Sequence, residues 1–169
     1  VQTDGWSSQY STIYVNQRDM PFLVDSLRMA LNRRGLNIFT LQSNPVWVVR
    51  DAATAVKEIS SAFVQGAEKE ALMTIEVDLL SNREMEELQR ELLLVLDDVC
   101  VVVDSYAVMR LRVEQLIEEL KQNAPKVEQL EESLAFLQWI HDGYFVFTGC
   151  AEFELKVDSD KAYLQEVAN

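Results

Sequence analysis

Apolar and polar positions alternate in two rhythms along the chain, and the order of those rhythms predicts the fold. Ser11 to Asn16 is mostly β-branched or aromatic and reads as a strand. Leu23, Leu27, Ala30 and Leu31 recur three or four apart, which predicts an amphipathic helix. Asp19 can cap that helix and Pro21 falls in its first turn, where no N–H is needed. The helix ends at Asn32-Arg33-Arg34, whose two arginines place cations near its C-terminus, and Gly35 allows the chain to reverse. Leu36 to Leu41 and Val46 to Val49 read as strand, with Pro45 marking an edge position or a kink. Residues 51–69 fit neither period and read as a long loop or short helix. Met73, Ile75, Val77 and Leu79 alternate with Thr74, Glu76 and Asp78, the pattern of a half-buried strand.

Ser81-Asn82-Arg83-Glu84 has the spacing of a capping box, and Met85, Leu88, Leu92 and Val95 continue at helical period. The run Val99-Cys100-Val101-Val102-Val103 reads as a buried strand. The order is then βαββαβ, an α+β ferredoxin-like sandwich with two helices on one face of a four-stranded antiparallel sheet. Beyond it, Tyr106, Met109, Val113, Leu116 and Leu120 form one apolar stripe. Val127, Leu130, Leu134 and Leu137 form a second, after the break at Asn123-Ala124-Pro125. Two antiparallel helices in a hairpin are expected. Tyr144–Phe147 and Phe153–Val157 predict a β-hairpin around Gly149. The chain therefore divides into a sandwich at 10–104, a helical hairpin at 105–142, and a β-hairpin with tail at 143–169 that starts a further module.

Composition narrows the functions. The 169 residues are 49% hydrophobic and 25% charged, enough to bury a core, and the net charge is −13. That charge repels phosphate backbones and anionic membranes, so nucleic acid and membrane are not expected partners. No apolar run is long enough to span a bilayer. Cys100 and Cys150 lie far apart among apolar residues and read as buried thiols of a reducing, cytoplasmic setting. The chain begins at Val1 and reads as part of a longer polypeptide.

A search for chemistry leaves little. His141 is the only histidine and falls at a helix end. The sequence has no CxxC, no GxGxxG and no Walker-type loop. Paired carboxylates such as Asp97-Asp98 follow helical surfaces. Trp6, Trp47 and Trp139 read as core or interface anchors. The turn after the first strand is the one candidate site: Asn16, Asp19, Pro21 and the N–H groups of Phe22, Leu23 and Val24. An Asp on an ammonium and a helix N-terminus on a carboxylate could hold an amino acid. The competing reading makes Asp19 only a cap and Pro21 only a helix starter. No catalytic residue, metal ligand or cofactor-binding residue is assigned.

Several segments together resemble a known family. Asp-Met-Pro-Phe-Leu-Val-Asp-Ser (19–26), Met-Ala-Leu-Asn-Arg-Arg-Gly-Leu (29–36) and Asn-Pro-Val-x-x-Val-Arg-Asp (44–51) are similar to the N-terminal region of the large bacterial NAD-specific glutamate dehydrogenases. Glu76, the Val95–Val99 step, the Ala135–Trp139 helix and the Asp142–Gly149 segment extend the likeness over roughly residues 10–155. The resemblance implies an ACT-like domain, a regulatory module that often binds amino acids and often pairs. It implies a parent enzyme that oxidatively deaminates L-glutamate to 2-oxoglutarate and ammonia with NAD. The dehydrogenase domain lies downstream, so NAD belongs to the parent and no cofactor to this segment. Implied partners are other domains of the parent chain, further subunits in a homo-oligomer, and an amino-acid effector. Ligand-binding ACT domains usually carry a small residue, commonly glycine, where this chain has Phe22, which favours packing over binding. The alternative is a free-standing amino-acid-sensing or protein-interaction module working through the acidic helices at 105–142.

Overall fold

The computed structural model describes residues 8–123, 129–158 and 161–167. It divides into two compact units, Val1–Cys100 and Val101–Asn169.

The first unit is built on β1 (Tyr10–Arg18), α1 (Leu23–Arg33), β2 (Ile38–Arg50), β3 (Val56–Ser60) and β4 (Glu68–Asp78). The sheet order is β1-β4-β2-β3. Both β1 and β2 are antiparallel to β4, so they run parallel to each other, joined by α1 with β4 inserted between them. On β4, Ala71, Met73, Ile75 and Val77 are buried, and the alternate residues are half-buried. The register continues that face into β1, where Ser11 lies opposite Val77, Ile13 opposite Ile75 and Val15 opposite Met73. Leu23, Leu27, Ala30 and Leu31 of α1 and Leu88, Leu92, Leu96 and Val99 of the following helix complete the core. The buried face of α1 is the one its spacing predicts. Gly35 adopts φ +74°, the left-handed conformation that closes the helix. Arg34 then reaches Glu91 at 2.6 Å, tying the end of α1 to the helix that follows β4.

The expected βαββαβ order is not what forms. The helix α2 runs from Asn82 to Asn123 without interruption, so Val99–Val103 is helical and supplies no fourth strand. The β-branched run favours a strand locally, but no glycine or proline occurs from Ser81 to Asn123 to stop the helix. The apolar period carries on through Leu92, Leu96, Val99, Val102 and Tyr106. The capping box forms as expected: Ser81 N–H donates to Glu84 Oε2 at 2.8 Å and Glu84 N–H to Ser81 Oγ at 3.4 Å. Leu79, expected to be buried, lies beyond the end of β4 and is exposed.

The fourth strand of the sheet comes instead from residues read as loop. Asp51 Oδ1 accepts N–H bonds from Ala53 and Ala55 at 3.0 and 2.9 Å, Thr54 turns at φ 64°, and β3 folds back on β2. Its five residues expose Val56 and Ile59, so burial left no alternation to read. Leu36–Leu41 and Val46–Val49 merge into one strand through Pro45. β3 pairs only with Trp47–Arg50, so the outer side of β2 is unpaired at Pro45, where a missing N–H is tolerated.

The second unit holds the rest of α2, α3 (Leu130–Trp139), a π-turn (Ile140–Tyr144), and β5 (Phe153–Asp158) paired with β6 (Lys161–Glu166). Met109 and Ile117 are its buried apolar residues among those described. Ala124 and Pro125 of the expected break and Val127 of the second stripe lie outside the described residues, as does Trp6. The β-hairpin shifts forward: Tyr144–Phe147 forms no strand, and Phe153–Asp158 pairs with Lys161–Glu166 through Leu155 opposite Leu164. The polar tail thus closes the hairpin itself. Trp139 stacks between Phe136 and Tyr144 with centroids at 6.0 and 5.7 Å. Cys100 is half-buried, but Cys150 is exposed on the unpaired segment before β5, contrary to expectation.

Candidate functional site

The turn after β1 is built differently from the predicted cradle. Asp19 does not cap α1. Its N–H donates to Lys69 O at 2.8 Å and its carboxylate pairs with Lys69 Nζ at 2.9 Å, fastening the turn to the start of β4. The N-cap position belongs to Phe22, at φ 71°, and no side chain caps the helix. Pro21 therefore precedes the cap rather than sitting in the first helical turn. The positive φ of Phe22 re-aims the chain, and the first helical bond runs from Ser26 N–H to Phe22 O at 2.9 Å. Leu23 is 3% exposed and belongs to the core, while Pro21 and Phe22 face outward. Asp25 supplies a negative charge in the first turn, where the helix dipole favours one and an incoming carboxylate would be repelled.

Asn16 joins a different set of groups. Its side chain hydrogen-bonds Glu70, which is buried and held by Arg50 through two parallel bonds, Nε to Oε1 at 2.7 Å and Nη2 to Oε2 at 2.9 Å. Arg50 also donates to Thr54 O at 2.8 Å. The Arg50 bonds hold the Glu70 carboxyl below its ordinary range against the opposing effect of burial, with Asn16 adding to them. The charges are matched within the cluster, so it locks the β2–β3 turn to β4. The pair carries no sequence signal: the two residues are twenty apart, Glu70 lies opposite Val46 in the sheet, and Arg50 reaches it from beyond the β2–β4 pairing. The six predicted residues thus separate: Asp19, Pro21 and Phe22 form the fastened turn, Leu23 joins the core, Val24 is half-buried in the first turn of α1, and Asn16 belongs to the polar cluster.

A second feature went unpredicted because it depends on the missing strand. A groove of about 360 Å³ runs along β1 between residues 11–16, Leu80 and the α2 face carrying Met85, Leu88, Leu92 and Leu96. Of the predicted site residues only Asn16 lines it. No charged side chain does.

Among the described residues, no three His, Cys, Asp or Glu side chains gather as a metal site, and no helix is long and apolar enough to cross a membrane. His141 lies within the π-turn, its side chain 19% exposed, with Nδ1 3.6 Å from Asp142 Oδ1.

Comparison with known proteins gives the arrangement a lineage. The chain is 38% identical over 161 residues to an NAD-specific glutamate dehydrogenase of Pseudomonas aeruginosa, covering 92% of this chain and 10% of that protein. It is 37% identical over 171 residues to the NAD-specific glutamate dehydrogenase of Halomonas elongata, covering 98% of this chain and 11% of that protein. The chain thus spans about one tenth of the length of these relatives. No solved structure matches it. Residues 1–92 match the family described as the ACT1 domain of glutamate dehydrogenase, and the chain belongs to that family.

Proposed function

We propose that this chain is a non-catalytic N-terminal segment of an NAD-dependent glutamate dehydrogenase and serves regulation or subunit assembly. The observation that carries this reading is the match of residues 1–92 to the ACT1 domain, joined to 37–38% identity with two NAD-specific glutamate dehydrogenases along nearly the whole chain. The parent enzyme would oxidise L-glutamate to 2-oxoglutarate and ammonia in the cytoplasm, with NAD held by a separate domain. The partners of this segment would be the other domains of that chain and neighbouring subunits.

The geometry of the first turn favours packing over amino-acid capture. An ammonium group would have to displace Lys69 from Asp19, and a carboxylate would meet Asp25 and the Phe22 backbone at the helix start. The test is to express the complete reading frame that contains this chain and assay glutamate-dependent reduction of NAD. NADH formation is expected, with none from residues 1–169 alone. A complete product that lacks this activity would overturn the proposal.

A further inference from the structure

The β5–β6 hairpin of the second unit buries little apolar surface. Phe153, Leu155 and Val157 share one face of it with Leu164, which lies opposite Leu155. Leu155, Val157 and Leu164 are nevertheless 62%, 75% and 66% exposed. A two-stranded hairpin with so little cover is marginal in water. Its open end is closed by a backbone bond, Val167 N–H to Glu152 O at 2.9 Å. The Glu152 side chain then leaves the hairpin and accepts a bond from Arg112 Nε on α2, forty residues earlier. Arg112 Nη1 also donates to Glu119 Oε1 at 3.1 Å. Arg112 stands three residues after the buried Met109, so a half-buried cation lies beside the apolar side of this helix.

We propose that Arg112 and Glu152 form an ionic latch that holds the β5–β6 hairpin to α2, and that ionic strength sets how often it opens. The two side chains are 38% and 36% exposed, so dissolved ions reach the pair and screen it. Exposed pairs contribute little to stability, so closure is shallow and the open form stays populated. Opening leaves no unpaired cation, because Arg112 keeps Glu119 as its partner. Glu152 is also the residue whose carbonyl closes the hairpin, so losing its side-chain anchor loosens the strands with it. The latch gives the proposed regulatory role a movable element, but it stands on the contacts of the second unit alone. It can fail while the parent enzyme retains its activity, and it can hold if that activity is absent.

The test is hydrogen–deuterium exchange on the 169-residue chain, read in peptides covering 153–167 with β4 as the internal reference. Raising salt from about 0.1 M to about 1 M shortens the screening length from about 10 Å to about 3 Å. Exchange in 153–167 should then quicken about threefold while β4 stays unchanged. Arg112→Gln and Glu152→Gln should each produce that rise at low salt and abolish the salt effect, and the two together should exceed neither alone. Glu119→Gln frees Arg112 for Glu152 and should not quicken exchange. Should a variant lose helical circular dichroism, the salt series on the unsubstituted chain still decides. Exchange in 153–167 that ignores salt, effects of Arg112→Gln and Glu152→Gln that add, or a Glu119→Gln effect as large as that of Glu152→Gln would overturn the inference.

Discussion

A phenylalanine held at φ 71° carries a left-handed backbone cost of about 1–2 kcal/mol that glycine does not. Phe22→Gly and Phe22→Ala both remove the ring, but only glycine relieves the backbone. In urea titrations Phe22→Gly should therefore be more stable than Phe22→Ala by about 1 kcal/mol. Equal stability, or alanine the better, would show that the turn relaxes to negative φ. The ring itself was visible in the sequence; its left-handed backbone was not, because nothing local distinguishes Phe22 from an ordinary first helical residue. Asp19 misled for a related reason. Its spacing from the helix suits a cap, yet Lys69, fifty residues away, takes the carboxylate. With that group engaged, calorimetry should find no saturable binding of glutamate, aspartate, arginine or branched-chain amino acids. A saturable site lost in Asp19→Ala would contradict this. Glu70 gives a pH dependence. Arg50 lowers its folded pKa below the ordinary 4.5, so its contribution is full above that value and is lost as pH falls through the folded one. Arg50→Met should leave a protein that loses less stability between pH 6 and about pH 3.5 than the parent does, measured by urea melts.

At the scale of elements, strong periodicity was legible and weak periodicity was not. α1, β4 and the start of α2 each bury one face: α1 at the predicted Leu23, Leu27, Ala30 and Leu31, β4 at Met73, Ile75 and Val77 of its predicted alternation, and α2 at Leu88 and Leu92 of its predicted period. β3 exposes both faces, so nothing in Val56–Ser60 announced it. At Val99–Val103 two signals conflicted: β-branched composition argued for a strand, and an unbroken apolar period with no stop residue argued for helix. The helix prevails, and one consequence is an open β1 edge. Val101 offers a test that reads the sign. It is 65% exposed, so Val101→Ala in a helix should stabilise the chain by about 0.5 kcal/mol through propensity. In a strand the same change should destabilise it. Thermal melts of the two proteins decide between these outcomes.

For the whole molecule, the sequence carried the lineage better than the topology. The blocks at 19–26, 29–36 and 44–51 pointed to the glutamate dehydrogenase family without any contact map, whereas the strand order needed the long-range pairing of β1 and β2 with β4. The proposed role in regulation or assembly makes a further demand: removing this segment should alter how the parent enzyme assembles or responds to amino acids, and leave its chemistry in place. The most direct measurement compares the complete enzyme with a version lacking residues 1–169, recording subunit mass by sedimentation and glutamate oxidation with and without amino-acid effectors. The account predicts a changed mass or effector response, with glutamate-dependent NADH formation retained. Loss of that activity in a truncated enzyme whose mass and folded content are unchanged would contradict it.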